Sequence, residues 1–129
     1  MSNMEPKRDS SSLSPLDHKL SAIRAALEDQ KALEPFLVKF DTPNPVADAV
    51  IITTATSRRH AQGLARGVLK TLAENGHDFL HMEGFETAQW ILLDCNDVLV
   101  HIFQQDTRGL YRLEELCRQA NDTAKETRS

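Results

Sequence analysis

The stretch DAVIITT, residues 48–54, constrains the fold more than any other part of this sequence. It is a continuous apolar and β-branched run, which predicts a strand that is covered on both faces. After it the apolar spacing becomes helical, with Thr56 or Ser57 available as the N-cap and Gly76 where a left-handed C-cap belongs. Gly63 and Gly67, four residues apart in this helix, are expected to permit close packing of its backbone on the sheet. The pattern predicts a β–α–β unit over residues 48–83 with a right-handed parallel crossover.

The other elements follow from periodicity and turn residues. They are a helix from Leu16 that ends before Pro35, strands at 35–40, 77–83, 90–94 and 98–103, and a last helix at 106–119. This order predicts an α/β domain over residues 16–118, with a mixed five-stranded sheet and flanking helices. We expect residues 1–15 to be a disordered leader and residues 119–129 a flexible tail.

Composition and charge exclude several classes of protein. The sequence has 129 residues and a net charge of −4, and it contains no apolar run long enough for a transmembrane helix. An acidic domain is poorly suited to gripping a phosphate backbone, but it suits a basic protein partner. Cys95 and Cys117 lack CxxC spacing, and no secretory signal precedes the domain, so we expect a cytoplasmic protein with reduced thiols.

The segment WILLDCNDVLVHIF, residues 90–103, predicts an antiparallel hairpin. With Cys95-Asn96 as a two-residue loop, Asp94 lies opposite Asp97 and Trp90 lies opposite His101. Directly opposed residues share a face. One face is then purely aliphatic: Ile91, Leu93, Val98, Val100 and Ile102. The other face is amphipathic: Trp90, Leu92, Asp94, Asp97, Leu99, His101 and Phe103.

The amphipathic face admits several chemical interpretations. Asp94, Asp97 and His101 are ligand types for a divalent metal, but the register places His101 about 13 Å along the strand from the carboxylates. General acid–base chemistry at His101 would need an orienting group and a pocket. The stretch TTATSRRH, residues 53–60, enters a helix N-terminus but lacks a glycine-rich nucleotide fingerprint, so we favour a simple Ser or Thr cap. His60 there is interpreted as a solvated surface residue.

Trp90 is the only tryptophan in the chain. A single Trp on an amphipathic face is either a partly covered core residue or an anchor for a protein partner. Arg108 and Tyr111 follow the hairpin closely and extend the same patch if the anchor interpretation holds. Periodicity alone favours neither interpretation.

Two longer motifs resemble the Iojap family of ribosomal silencing factors, also called RsfS. They are ADAVIITTATSRRHAQGLA at 47–65 and EGFETAQWILLDCNDVLVHIFQQDTRGLYRLEEL at 83–116. The second is the more specific, with Trp, Leu-Asp-x-x-Asp-Val and Val-His-Ile-Phe in series. The resemblance implies a nucleotidyltransferase-like topology without the Gly-Ser turn and Asp-x-Asp/Glu metal pair that the enzymes need.

The resemblance implies a translation factor that is not an enzyme and needs no cofactor. Family members bind the fourteenth protein of the large ribosomal subunit, block joining of the small subunit and repress translation when nutrients are short. The alternatives are a large-subunit assembly factor, a homodimeric module, or an enzyme that uses Asp94, Asp97 and His101. We expect no membrane contact and no sequence-specific nucleic-acid binding. The predicted partner-binding residues are Glu83, Trp90, Leu92, Asp94, Asp97, Leu99, His101, Arg108 and Tyr111.

Overall fold

The computed structural model describes residues 14–40 and 47–105. In chain order its elements are α1 (Pro15–Asp29), β1 (Leu33–Lys39), β2 (Ala49–Ala55), α2 (Arg58–Glu74), β3 (His81–Glu83), β4 (Trp90–Asp94) and β5 (Val98–Gln104). A mixed α/β domain with a five-stranded sheet was predicted, and the structure confirms it. Residues 41–46, the predicted helix at 106–119, the predicted tail and nearly all of the predicted leader lie outside the described residues.

The strands are ordered β1-β2-β5-β4-β3 across the sheet. β2 pairs in parallel with β5, and the other neighbouring strands are antiparallel. β3 therefore runs parallel to β2, as the predicted crossover requires, but β5 and β4 lie between them. All seven residues of β2 are buried, which confirms the prediction made from the DAVIITT run.

Two predicted boundaries are wrong. The first helix ends at Asp29 rather than just before Pro35, because Lys31 adopts a left-handed conformation with φ of 60°. Leu33 falls within the predicted helix, but it is paired with Thr54 in the sheet. The predicted strand at 77–83 is shorter than expected and comprises only its last three residues, His81–Glu83.

The caps of α2 follow the sequence, whereas its glycines serve a different purpose from the one predicted. Ser57 accepts a hydrogen bond from the backbone N–H of His60 at 3.1 Å, and Gly76 has φ of 68°. Gly63 and Gly67 were expected to face the sheet. A Cβ at either position would instead meet the side chain of Gln30, at 3.8 and 3.4 Å. The two glycines therefore leave room for Gln30, at the C-terminal end of α1, to pack against α2.

Apolar side chains form one cluster on each face of the sheet. The larger cluster joins the buried sides of α1 and α2 to the aliphatic face of the β4–β5 hairpin. The smaller cluster lies on the opposite face, around Val50, Ile52 and Phe103, with Trp90 and Leu99 packed against it. The two described helices thus cover the aliphatic face. No helix among the described residues is long and apolar enough to cross a membrane.

Candidate partner-binding face

The hairpin register differs from the predicted one by two residues. Trp90 is paired with Phe103, Leu92 with His101 and Asp94 with Leu99. Cys95 N–H donates to the carbonyl of Val98 at 2.9 Å, so the loop residues are Asn96 and Asp97. Asn96 carries the positive φ, 77°, at the first loop position rather than the second. Because a two-residue shift preserves the alternation of side chains, each strand residue keeps its predicted face.

Pairing across β3, β4 and β5 assembles what we call the Trp90 face. Glu83 pairs with Leu92, which pairs with His101, so these three side chains form one row. Asp94 with Leu99 forms the next row, and Trp90 with Phe103 forms the third. The Trp90 face comprises Glu83, Trp90, Leu92, Asp94, Leu99, His101 and Phe103.

Trp90 is held at this face by its two neighbours on β5. Its indole Nε1–H donates to Nδ1 of His101 at 2.9 Å. Its ring stacks on Phe103, with centroids 5.1 Å apart and an angle of 28° between the planes. Phe103 is completely buried, whereas Trp90 is half-buried. The indole is therefore fixed in orientation while part of its surface still reaches solvent.

The same hydrogen bond determines the chemical state of His101. Nδ1 accepts from Trp90 and so carries no proton, which leaves the neutral ring with its proton on Nε2. Burial lowers the pKa of His101 from 6.5 to about 4. At neutral pH this histidine is uncharged and weakly basic, which suits a fixed polar contact better than proton transfer.

Carboxylates border the Trp90 face on the β3 side. Asp94 accepts a hydrogen bond from the backbone N–H of Asn96 at 3.0 Å. Glu83 pairs with His81 at 2.7 Å, and both of these side chains are exposed. The face therefore has an apolar and aromatic centre with an acidic edge.

Asp97 does not belong to the Trp90 face, although it was predicted to lie opposite Asp94. Its carboxylate accepts a hydrogen bond from Lys19 Nζ at 2.7 Å, and this lysine of α1 also donates to the carbonyl of Cys95. Lys19 is only 3% exposed. The ion pair fastens the hairpin loop to the helix, so Asp97 serves to dock α1.

The three residues of the enzyme alternative do not converge. Asp94 is bonded within its own loop, Asp97 is paired with Lys19, and His101 is bonded to Trp90. Within residues 14–40 and 47–105, no group of three His, Cys, Asp or Glu side chains is arranged to hold a metal ion. The nearby thiol of Cys95 is completely buried, and desolvation raises its pKa to about 12.

The segment between β3 and β4, residues 84–89, is held by side-chain hydrogen bonds. Gly84 has φ of 80°, and a Cβ there would lie 2.2 Å from the carbonyl oxygen of Trp90. Gln62 of α2 donates to the carbonyl of Phe85 at 2.8 Å. Gln104 donates to the carbonyl of Ala88 at 2.9 Å. These side-chain bonds fix the backbone ahead of the indole.

Six of the nine predicted partner-binding residues therefore lie together: Glu83, Trp90, Leu92, Asp94, Leu99 and His101. Asp97 lies elsewhere, while Arg108 and Tyr111 are outside the described residues. The prediction missed Phe103 as the support of the indole, although its place on the amphipathic face was available from alternation. It also misjudged His60, which accepts from the N–H of Thr56 at 3.0 Å and contacts the carbonyl of Gln30 at 2.8 Å.

Comparisons with known proteins agree with this architecture. A family model described as "Ribosomal silencing factor during starvation" matches residues 14–129. A Bacillus subtilis protein named ribosomal silencing factor RsfS is 36% identical over 97 residues, covering 75% of this chain and 82% of the relative. A protein of the same name from Halalkalibacterium halodurans is 34% identical over 91 residues, covering 70% and 78%.

A solved structure is similar as well. The crystal structure of a protein from Chromobacterium violaceum superposes with a TM-score of 0.76 at 29% identity, covering 80% of this chain and 86% of that one. The likeness thus extends over most of the length of both chains.

Proposed function

The chain belongs to the RsfS family of ribosomal silencing factors, and we propose that it binds the large ribosomal subunit through the Trp90 face. The proposed contact on the subunit is its fourteenth protein. Once bound, the domain occupies the space that the small subunit needs, so repression requires no chemical step. A protein with this partner acts in the cytoplasm, where the subunits meet.

The observation that carries the proposal is the half-buried indole locked between His101 and Phe103. Tryptophan is among the residue types that contribute most to protein interfaces, and a rigid one loses little entropy on binding. Leu92 and Leu99 add apolar surface next to it. The carboxylates of Glu83 and Asp94 at the edge suit a basic partner by steering its approach.

We propose no catalytic role for this surface. The three polar residues of the enzyme alternative are each committed to a different partner. His101 is moreover uncharged and hydrogen-bonded through the nitrogen that would serve as a base. These contacts support binding by shape and charge.

Co-sedimentation with purified large subunits on sucrose gradients tests the proposal. Trp90→Ala should weaken association at least about tenfold, since interface tryptophans commonly contribute 2 kcal/mol or more. Leu80→Ala is the matched control, because Leu80 is 61% exposed but lies outside the Trp90 face. The circular dichroism spectrum verifies that each variant is folded.

Two further variants keep the test decisive if Trp90→Ala does not fold. Trp90→Phe preserves an aromatic ring over Phe103 while removing the N–H group, and it should bind more weakly than the parent. Glu83→Lys reverses one charge at the exposed edge and should slow association with a basic partner. A folded set of Trp90 variants that co-sediments like the parent protein would refute the proposed face. Sedimentation velocity at several concentrations shows whether self-association competes with ribosome binding.

A further inference from the structure

Basic residues are distributed very unevenly over residues 47–105. All the lysines and arginines in this range lie on α2, and six of the seven acidic residues lie outside it, with Glu74 as the exception. We call these four basic residues the α2 basic stripe: Arg58, Arg59, Arg66 and Lys70. The negative charge of the whole chain therefore conceals a local positive surface.

Helical geometry brings three of the four stripe residues to one side of α2. Arg59, Arg66 and Lys70 fall within about 40° of one another around the helix axis, so they lie on one side over about 17 Å of helix, and Arg58 precedes them in the first turn. All four stripe residues are exposed. The opposite side of the helix is the apolar one that packs in the core: Ala61, Leu64, Ala65, Val68 and Leu72.

The stripe has no acidic partner among the residues that the structure describes. The ion pairs found there are Lys19–Asp97 and Lys39–Asp17, and Glu83 contacts His81. Arg66 instead lies over the ring of Phe85, 5.0 Å from its centroid. This contact orients the guanidinium while leaving N–H groups for an external acceptor.

The position of two stripe residues also runs against helix electrostatics. Arg58 and Arg59 are in the first turn of α2, where the helix dipole favours acidic side chains, and that turn contains none. Among residues 14–40 and 47–105 these two arginines have no ion pair that offsets this placement, so they add to the positive potential at the start of α2 and favour an external anion there.

We propose that the α2 basic stripe binds the phosphate backbone of RNA, specifically ribosomal RNA beside the docked domain. A line of exposed arginines and a lysine suits a linear polyanion, and phosphate contacts require no base readout. An anionic membrane fits less well, because the apolar side of α2 is buried in the core and has nothing to insert into a bilayer. This inference goes beyond the protein contact proposed for the Trp90 face.

The test uses the full chain and a fluorescein-labelled 20-nucleotide oligouridine, with anisotropy measured from 50 to 300 mM KCl. Arg58→Gln/Arg59→Gln should bind at least about tenfold more weakly than the parent at 50 mM KCl. The slope of log affinity against log salt should fall by about 1.4, since each lost phosphate contact contributes about 0.7 with single strands. The matched control is Arg24→Gln/Lys31→Gln, which removes the same charge from exposed positions outside the stripe.

Each outcome decides the proposal. A selective loss in the α2 variant, with the control like the parent, supports the stripe as the RNA contact. Equal losses in both variants would show that only total charge matters and would overturn it. Absence of RNA binding by the parent at 50 mM KCl would also overturn it, as would binding to phosphatidylglycerol vesicles in its place. Co-sedimentation that still depends on Trp90 would leave the protein contact standing in either case.

Discussion

Replacing His101 with asparagine should remove much of the acid sensitivity of this domain. The imidazole is 7% exposed and accepts the Trp90 N–H through Nδ1. Asn presents an acceptor oxygen at nearly the same distance from the backbone, but it does not titrate. The substitution therefore changes protonation while retaining a partner for the indole.

The magnitude follows from the two pKa values of this histidine. Burial lowers its pKa from 6.5 to about 4 in the folded protein. Below about pH 6.5 His101 is protonated in the unfolded chain but stays neutral in the folded protein. The free energy of unfolding therefore falls as the pH falls. Above about pH 6.5 His101 is neutral in both states, so the free energy of unfolding carries no penalty from its protonation. Between pH 7.5 and 5.0 the loss amounts to about 2 kcal/mol.

Urea unfolding followed by far-ultraviolet circular dichroism at pH 7.5 and 5.0 measures this effect. The parent protein should lose about 2 kcal/mol more than His101→Asn over that interval, whatever the variant costs at pH 7.5. The other histidines and carboxylates titrate in both proteins and cancel in the comparison. An identical pH dependence for the two proteins would show that His101 does not resist protonation in the folded state.

Three more predictions concern the hairpin and its approach. Lys19→Met should lower the free energy of unfolding by about 1.5 to 3 kcal/mol, because Asp97 loses a charged hydrogen bond; a urea midpoint equal to the parent's would contradict this. Gly84→Ala should cost about 1 to 3 kcal/mol in the same assay, since φ is positive and the new Cβ meets the Trp90 carbonyl; a neutral effect would count against the described turn. The Cys95 thiol, buried and with a pKa raised to about 12, should resist iodoacetamide at pH 8 until the protein is unfolded; peptide mass spectrometry that finds early alkylation would argue otherwise.

The composition of the two sheet faces was predictable because it depends only on alternation. Ile91 and Leu93 were assigned to the core and are completely buried, and Trp90 was assigned to the other face. The exact register was not predictable, since Asn tolerates a positive φ at either position of a two-residue loop. Placing Asn96 first moves Asp97 into the loop.

Long-range contacts account for the other errors. No residue near Asp97 in the sequence indicates that Lys19 is its partner. The available indication was that Lys19 is a basic residue among the apolar positions of the first helix. Periodicity likewise gave no reason to end that helix before Leu33, because a leucine fits a helical stripe and a strand equally well. The pairing of Lys19 with Asp97 and that of Leu33 with Thr54 are both set by tertiary packing, which local sequence patterns do not encode.

The parallel pairing of β2 with β5 has a consequence for how the chain is made. Val98 pairs with Ala49 but emerges 49 positions later, which at about 5 to 20 residues per second means about 2 to 10 s of synthesis. Until then β2, whose residues are all buried in the folded domain, lacks one of its two neighbouring strands. During that interval one edge of β2 is unpaired and open to aggregation, and the pairing with β5 forms only after Val98–Gln104 has left the exit tunnel.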